Sequence, residues 1–157
     1  MNSDFTITAA TQDDAAAIAD LLAPYALAKI VLPRTKEDIL EYIGNFLVAK
    51  DADGIVRGSI ALRDFGEGLQ EIRSLAVAKE YNGRGLGSKL ILSALEFAQR
   101  RQAETVFALT LRPHLFTRLN FTVVTKEKFP QKVWHDCRKC PKLAVCDETA
   151  VVFPLSR

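Results

Sequence analysis

The chain has 157 residues, of which 48% are hydrophobic and 25% are charged, and its formal net charge is +2. Such a chain fits one globular domain, residues 1–157, whose core needs neither disulfides nor a metal. The small net charge argues against a nucleic-acid partner, because phosphate-driven binders usually carry more excess positive charge. The longest apolar stretch is too short to span a bilayer, and the amino terminus has no secretory-signal pattern. We therefore expect a cytoplasmic protein without a membrane partner.

The first half of the chain alternates between short strand patterns and two amphipathic helices. Thr11 is a suitable helix cap, and Asp13 and Asp14 suit the positive end of the helix that follows. Residues 51–54 and 66–68 carry turn chemistry between apolar runs, which predicts three successive antiparallel strands. The predicted elements are a strand at 5–8, helices at 11–22 and 36–45, and strands at 46–49, 55–65 and 69–77.

The second half begins with a glycine-rich loop and a long helix at 85–102, in which apolar residues recur on one face. A strand at 106–109, a short helix at 113–119 and a strand at 121–124 follow. An irregular cysteine-containing segment at 129–148 then leads to a strand at 149–153. This order predicts the α/β (α+β) class, with a mixed central sheet of about six to seven strands and helices on both faces.

The glycine-rich loop is the most informative stretch, because it joins a strand to a helix and has glycine at 83, 85 and 87. Glycines let successive backbone N–H groups converge, and the helix amino terminus adds its dipole, so the loop can bind a phosphate or pyrophosphate. The loop does not match the dinucleotide-binding fingerprint, because Leu90 stands where that motif needs glycine. It does not match the P-loop motif either, because Ser88 stands where that motif needs glycine. A helix cap alone would not require three alternating glycines.

At this loop the sequence resembles the GNAT family of N-acetyltransferases. Leu75 and Val77 match the strand of the family signature, Gly85 and Gly87 match its two small positions, and Asn82 departs from the usual Gln or Arg. The resemblance implies a GNAT fold and acetyl-CoA as cosubstrate, with its pantetheine arm along the strand and its pyrophosphate on the loop N–H groups. The implied cofactor-binding residues are Leu75, Ala76, Val77, Asn82, Gly83, Arg84, Gly85, Leu86, Gly87 and Ser88.

Within that family, several segments are similar to the acetyltransferase domain of bacterial N-acetylglutamate synthases, among them 32–35, 53–62, 71–77 and 109–112. This resemblance implies acetylation of the α-amine of a small acidic amino acid, with L-glutamate as first choice, in arginine biosynthesis. Many relatives dimerise, so a homodimer is one expected state. Phe116 falls where the family commonly has the tyrosine that protonates the departing thiolate, and phenylalanine cannot do so.

The reaction requires a base, because an α-amino acid arrives largely as an ammonium and only the free amine attacks a thioester. Glu71, on the strand expected to contact the cofactor, is the predicted catalytic base; a charge at a strand edge in solvent is the alternative. Thr110, at the end of the next strand, is predicted to pass a proton to the thiolate or to bind substrate. Its alternative is an ordinary β-branched strand residue.

Glutamate carries two carboxylates, so its site needs cations, and arginine offers a two-pronged match. Arg34 is the first candidate and Arg112 the second, although a single arginine is usually a surface residue. Arg73 and Ser74, in the segment that resembles the synthases, complete the predicted acceptor site. These arginines argue against a cationic acceptor.

A cluster of three cysteines and one histidine lies within 135–146, and Cys137 and Cys140 have zinc-knuckle spacing. A zinc site at Cys137, Cys140 and Cys146 is the minority interpretation, because no second Cys-x-x-Cys is present and His135 would make a very tight chelate. We therefore predict no metal site and interpret the cysteines as three small, partly buried hydrophobes in an irregular segment. 

Two other functions stay open at this point. One keeps acetyl-CoA but changes the acceptor to a polyamine, an aminoglycoside or a protein amino terminus. The other is a non-catalytic module that binds acyl-CoA, which the phenylalanine at 116 permits.

Overall fold

The computed structural model describes residues 5–28, 35–125 and 149–155. Their strands form one seven-stranded sheet. The strands are β1 (Thr6–Ala9), β2 (Phe46–Lys50), β3 (Val56–Asp64), β4 (Leu69–Val77), β5 (Thr105–Thr110), β6 (Thr122–Val124) and β7 (Thr149–Pro154). The α-helices are α1 (Ala15–Leu27), α2 (Lys36–Glu41), α3 (Leu86–Arg100) and α4 (Pro113–Thr117).

The strand order in the sheet is β1-β2-β3-β4-β5-β7-β6. The first four strands run antiparallel to their neighbours, β4 and β5 are parallel, and β7 returns antiparallel to both β5 and β6. Helix α3 makes the crossover that two parallel strands require. The predicted order of elements and the mixed sheet are confirmed.

Helices cover both faces of the sheet, as the alternation of buried residues along β2 shows. Leu47 and Ala49 belong to the core beneath α3, whereas Phe46 and Val48 belong to the core beneath α1 and α2. The α3 core also contains Ile60, Leu62, Ile72, Leu86, Leu90, Ile91, Ala94 and Val106. The opposite core contains Ile18, Leu22, Ile39, Ala61 and Ala76.

The first helix is longer than the sequence predicted. A 3₁₀ turn with a Thr11–Asp14 capping box precedes α1, and α1 then continues through Pro24 to Leu27. Proline inside a helix removes a hydrogen bond at a cost of about 3 kcal/mol. Tyr25, just after the proline, packs against the core beneath α1, and this burial offsets the loss.

The second predicted helix is shorter than expected, because α2 ends at Glu41 and a 3₁₀ turn at Ile43–Asn45 follows. The Arg101 guanidinium donates to the Gly44 carbonyl (3.5 Å) and to Asn45 Oδ1 (2.6 Å). These bonds hold the chain as it enters β2. In the described ranges, no helix is both long and apolar enough to cross a bilayer.

Candidate active site

A wedge-shaped cleft opens between β4 and β5. The two strands are paired only between the residue pair Leu69–Thr105 and the residue pair Glu71–Phe107. Beyond that point their ladder ends, although β4 continues to Val77 and β5 to Thr110. One edge of β4 is therefore available to pair with an extended ligand that carries amide groups.

A bulge in β4 sets which side chains face each core. Ser59 pairs with Ala76 and Ala61 pairs with Arg73, so Ser74 and Leu75 together stand opposite one residue of β3. Ser74 has φ 55°, and its carbonyl accepts a hydrogen bond from Ser59 Oγ at 2.9 Å. After the bulge, Leu75 and Val77 pack against the α3 core, while Ala76 lies in the core beneath α1.

Glu71 is the last β4 residue paired with β5, so it lies at the closed end of the cleft. Only 6% of Glu71 is exposed, and the alternative of a strand-edge charge in solvent is wrong. Arg73 Nε donates to Glu71 Oε1 at 2.6 Å, and Arg63 stands opposite Glu71 on β3. Burial raises the pKa of the Glu71 carboxyl above its ordinary value, while Arg73 and then Arg63 act in the opposite direction.

The raised pKa suits a general base, since it lies closer to neutrality than that of an exposed carboxyl. The arginines keep the carboxylate form accessible in a buried position. Glu71 can therefore take a proton from a group that enters the cleft from the α1 and α2 side.

Thr110, Arg112 and Phe116 lie on the β5 side of the cleft. Thr110, the last residue of β5, accepts a hydrogen bond from the Arg112 backbone N–H at 2.8 Å, which leaves its O–H able to donate. The Arg112 side chain is exposed. Phe116 is buried in the α3 core, with its ring edge-on to Phe121 at 5.1 Å between centroids, and it has no acidic group.

The glycine-rich loop leads directly into α3. Gly83 and Gly85 have φ 82° and 79°, a conformation that L side chains rarely adopt, and open space lies where a Cβ would stand. The first intrahelical bond runs from the Lys89 N–H to the Gly85 carbonyl at 3.1 Å. The N–H groups of Leu86, Gly87 and Ser88 precede it and have no carbonyl of α3 to bind. They fit an anion such as a pyrophosphate.

Two arginines contact the Tyr81 ring beside this loop. Arg84 and Arg57 place their Cζ atoms 4.8 Å and 5.0 Å from the centroid of the Tyr81 ring. Arg57 also donates to Asp51 at 2.8 Å, and Phe5 meets the Tyr81 ring edge-on. Arg57 was not among the predicted cofactor-binding residues.

The structure brings most of the predicted residues to one cleft. Glu71, Arg73 and Ser74 lie on β4, Thr110 and Arg112 lie on the β5 side, and the cofactor-binding residues run from the end of β4 into α3. Arg34 and the predicted zinc alternative at Cys137, Cys140 and Cys146 lie outside the described residues. Within the described ranges, no group of three or more His, Cys, Asp or Glu residues could hold a metal ion.

Sequence reasoning missed Tyr25, whose hydroxyl reaches the end of β4 and donates to the Val77 carbonyl at 2.5 Å. The predicted first helix stopped at Leu22, whereas α1 continues to Leu27. Extending the apolar face by one more turn, from Leu21 to Tyr25, would have found it.

Comparison with known proteins agrees with this geometry. The family model of the acetyltransferase (GNAT) domain matches residues 43–123. An uncharacterised N-acetyltransferase of Chlorobaculum tepidum is 40% identical over 153 residues, which cover 98% of both chains. An amino-acid acetyltransferase of Mycobacterium tuberculosis is 33% identical over 132 residues, which cover 82% of this chain and 75% of that relative.

Solved structures show the same fold. The N-acetylglutamate synthase of Neisseria gonorrhoeae, complexed with coenzyme A and N-acetyl-glutamate, superposes with a TM-score of 0.89 at 25% identity. That match covers 100% of this chain but only 36% of the synthase. A protein of M. tuberculosis in complex with CoA superposes with a TM-score of 0.83 at 27% identity and covers 96% of this chain and 99% of its own. The chain therefore has the GNAT fold and belongs to the GNAT family of N-acetyltransferases.

Proposed function

We propose that this protein transfers the acetyl group of acetyl-CoA to the α-amine of a small acidic amino acid, L-glutamate first, as a step of arginine biosynthesis. The single observation that carries the proposal is the buried Glu71 at the closed end of the cleft, with Arg73 bound to it. Two relatives support the choice of acceptor: an amino-acid acetyltransferase and a synthase complexed with N-acetyl-glutamate.

The residues present fit acetyl-CoA. The loop N–H groups at Leu86–Ser88 suit its pyrophosphate, and the unpaired edge of β4 up to Val77 suits its amide-bearing arm. Arg84 adds charge of the right sign beside the loop. When bound, acetyl-CoA supplies a thioester, an acyl group that an amine can attack.

The chain then has to deprotonate and orient the amine. Glu71 accepts the ammonium proton, directly or through a water, and Arg73 holds the resulting carboxyl in place. Thr110 can donate its O–H toward the departing thiolate, which is the role that Phe116 cannot fill. Arg34 and Arg112 are the proposed partners of the two carboxylates of glutamate, and Arg73 and Ser74, on β4, are proposed to complete the acceptor site.

The experiment that tests this function measures thiol release from acetyl-CoA with a matched panel of acceptors. Glutamate should give the highest kcat/KM, glutamine and aspartate lower values, and spermidine very little, because the proposed site is cationic. Turnover that is fastest with spermidine would replace the acidic acceptor by a polyamine. Coenzyme A binding without turnover of any acceptor would indicate a binding module.

A further inference from the structure

Tyr25 is a polar residue that the proposed reaction does not use. It lies in the last turn of α1, it is half-buried, and its ring packs against the core beneath α1. Its hydroxyl donates to the Val77 carbonyl at 2.5 Å, and this carbonyl belongs to the final residue of β4.

The β3–β4 ladder shows which way that carbonyl points. The Ala78 N–H donates to the Arg57 carbonyl at 2.8 Å, so Ala78 and Arg57 form a hydrogen-bonded antiparallel pair. The preceding pair, Val77 with Gly58, is therefore a non-hydrogen-bonded pair. In such a pair the N–H and C=O groups point away from the partner strand, so those of Val77 point toward the cleft.

Tyr25 consequently stands in the mouth of the cleft. Its hydroxyl is bound to the cleft-facing edge of β4, and the Arg112 Cζ, just past the end of β5, lies 6.0 Å from its ring centroid. The side chain thus spans part of the gap between the two diverging strands.

We propose that Tyr25 is a cofactor-binding residue whose hydroxyl oxygen accepts a hydrogen bond from an amide N–H in the arm of acetyl-CoA. A tyrosine hydroxyl has one hydrogen, and here the Val77 carbonyl, which can only accept, takes it. The oxygen is left as an acceptor in the cleft, and it suits an N–H donor. This inference rests on the proposed function and extends it to a residue outside the glycine-rich loop and β4.

The position along β4 favours the cofactor arm over the reacting amine as the donor. Val77 lies six residues beyond Glu71, which is roughly 20 Å in an extended strand, less a small contraction at the bulge. An amino acid whose amine reaches Glu71 is far shorter than that. With its acetyl group beside Glu71 and its pyrophosphate on the loop, as in the proposed function, acetyl-CoA has its arm along β4, and the amides of that arm pass Val77.

The test compares Tyr25→Phe with the parent protein by titration calorimetry. Two ligands are used: coenzyme A, and 3′-phospho-ADP, which is coenzyme A without its arm. The affinity for coenzyme A should fall by about 3- to 10-fold, the usual loss for one neutral hydrogen bond, while the affinity for 3′-phospho-ADP stays unchanged. The KM for acetyl-CoA should rise by the same factor, and that for glutamate should change little.

Tyr42→Phe is the matched control, because Tyr42 is half exposed at the end of α2 and should affect neither ligand. Equal losses for both ligands in Tyr25→Phe would show a purely structural role and overturn the proposal. An unchanged affinity for coenzyme A would also overturn it, and a higher affinity would show that Tyr25 blocks the cleft. If the parent protein fails to bind coenzyme A, the proposed function itself fails, and this inference fails with it.

Discussion

At the scale of single residues, the proposed reaction depends on Glu71 as its base. Glu71→Gln keeps the size of the side chain but removes its basicity, so kcat should fall by roughly 10²- to 10⁴-fold and recover in part at higher pH, where more free amine is present. Glu96→Gln, the same change on the exposed face of α3, is the control and should leave kcat unchanged. Steady-state kinetics measure both. A near-normal rate for Glu71→Gln would assign deprotonation to solvent or another group.

Arg73 sets the pH at which that base works. In the proposed reaction the protonated form of Glu71 is inactive, so kcat/KM, expressed per protonated amine, should rise with pH through the Glu71 pKa, which burial places above the ordinary carboxyl value. Arg73 lowers this pKa, so the pKa of Glu71 should be higher in Arg73→Gln, where burial acts without the opposing charge of Arg73. The acidic limb of the pH profile of kcat/KM should therefore move to higher pH. The pH dependence of kcat/KM for both proteins measures the shift. A shift to lower pH would mean that another group controls this limb.

At the scale of elements, the junction between the loop and α3 should bind the cofactor. Gly85→Glu adds a side chain and a negative charge at φ 79°, directly at the proposed anion site, and should lower the affinity for coenzyme A by more than about 100-fold. Gly54→Glu is a matched control, because Gly54 has the same φ of 79° and equally open space but lies in the β2–β3 turn. It should share the backbone strain and keep the affinity. If calorimetry finds equal losses of affinity for coenzyme A in the two variants, backbone strain and not charge repulsion explains the loss.

Arg101 joins the end of α3 to the sheet. Arg101 donates to Oε1 of the buried Gln70 at 3.2 Å and to Asn45 Oδ1 at 2.6 Å. Arg101→Ala leaves the Gln70 oxygen without this partner and should lower the free energy of unfolding by about 1–3 kcal/mol. Its neighbour Arg100 is exposed, so Arg100→Ala should cost far less. Urea denaturation measures the free energy of unfolding of both variants. Equal losses of stability would show that the bond to Gln70 is not the cause.

Local patterns predicted the elements, but not the distances between them. Strand alternation, turn residues and the glycine-rich loop were sufficient for the order of strands and helices and for the loop that leads into α3. They could not show that Glu71 is buried, because that depends on Arg63 and Phe107, which come from two other strands. The predicted first helix ended at Leu22, but α1 continues through Pro24 to Leu27, because tertiary packing there outweighs the local signal of a proline.

At the scale of the whole molecule, the cleft combines distant parts of the chain. Tyr25 arrives from α1, Glu71 from β4, and Thr110 and Arg112 from the end of β5. The crossover through α3 makes β4 and β5 parallel, so the carboxyl ends of both strands, where they diverge, lie at the same edge of the sheet. The loop before α3 follows the end of β4 and lies beside them. A ligand that fills the cleft therefore contacts three separate segments and should stabilise the whole fold.

Arg112 is exposed and stands beside Tyr25, and the proposed function assigns it to glutamate. If its guanidinium pairs with a carboxylate of glutamate, Arg112→Ala should raise the KM for glutamate by about 5- to 30-fold, since a charge-assisted bond contributes roughly 1–2 kcal/mol in a partly wet cleft. The KM for acetyl-CoA should then change little. Arg112→Lys should recover only part of the loss, because an ammonium cannot reproduce the two-pronged contact. Arg118→Ala, an exposed arginine just after α4, is the control. Kinetics with both substrates varied decide the question: a rise only in the KM for acetyl-CoA would assign Arg112 to the cofactor side of the cleft and leave Arg34 as the proposed carboxylate partner.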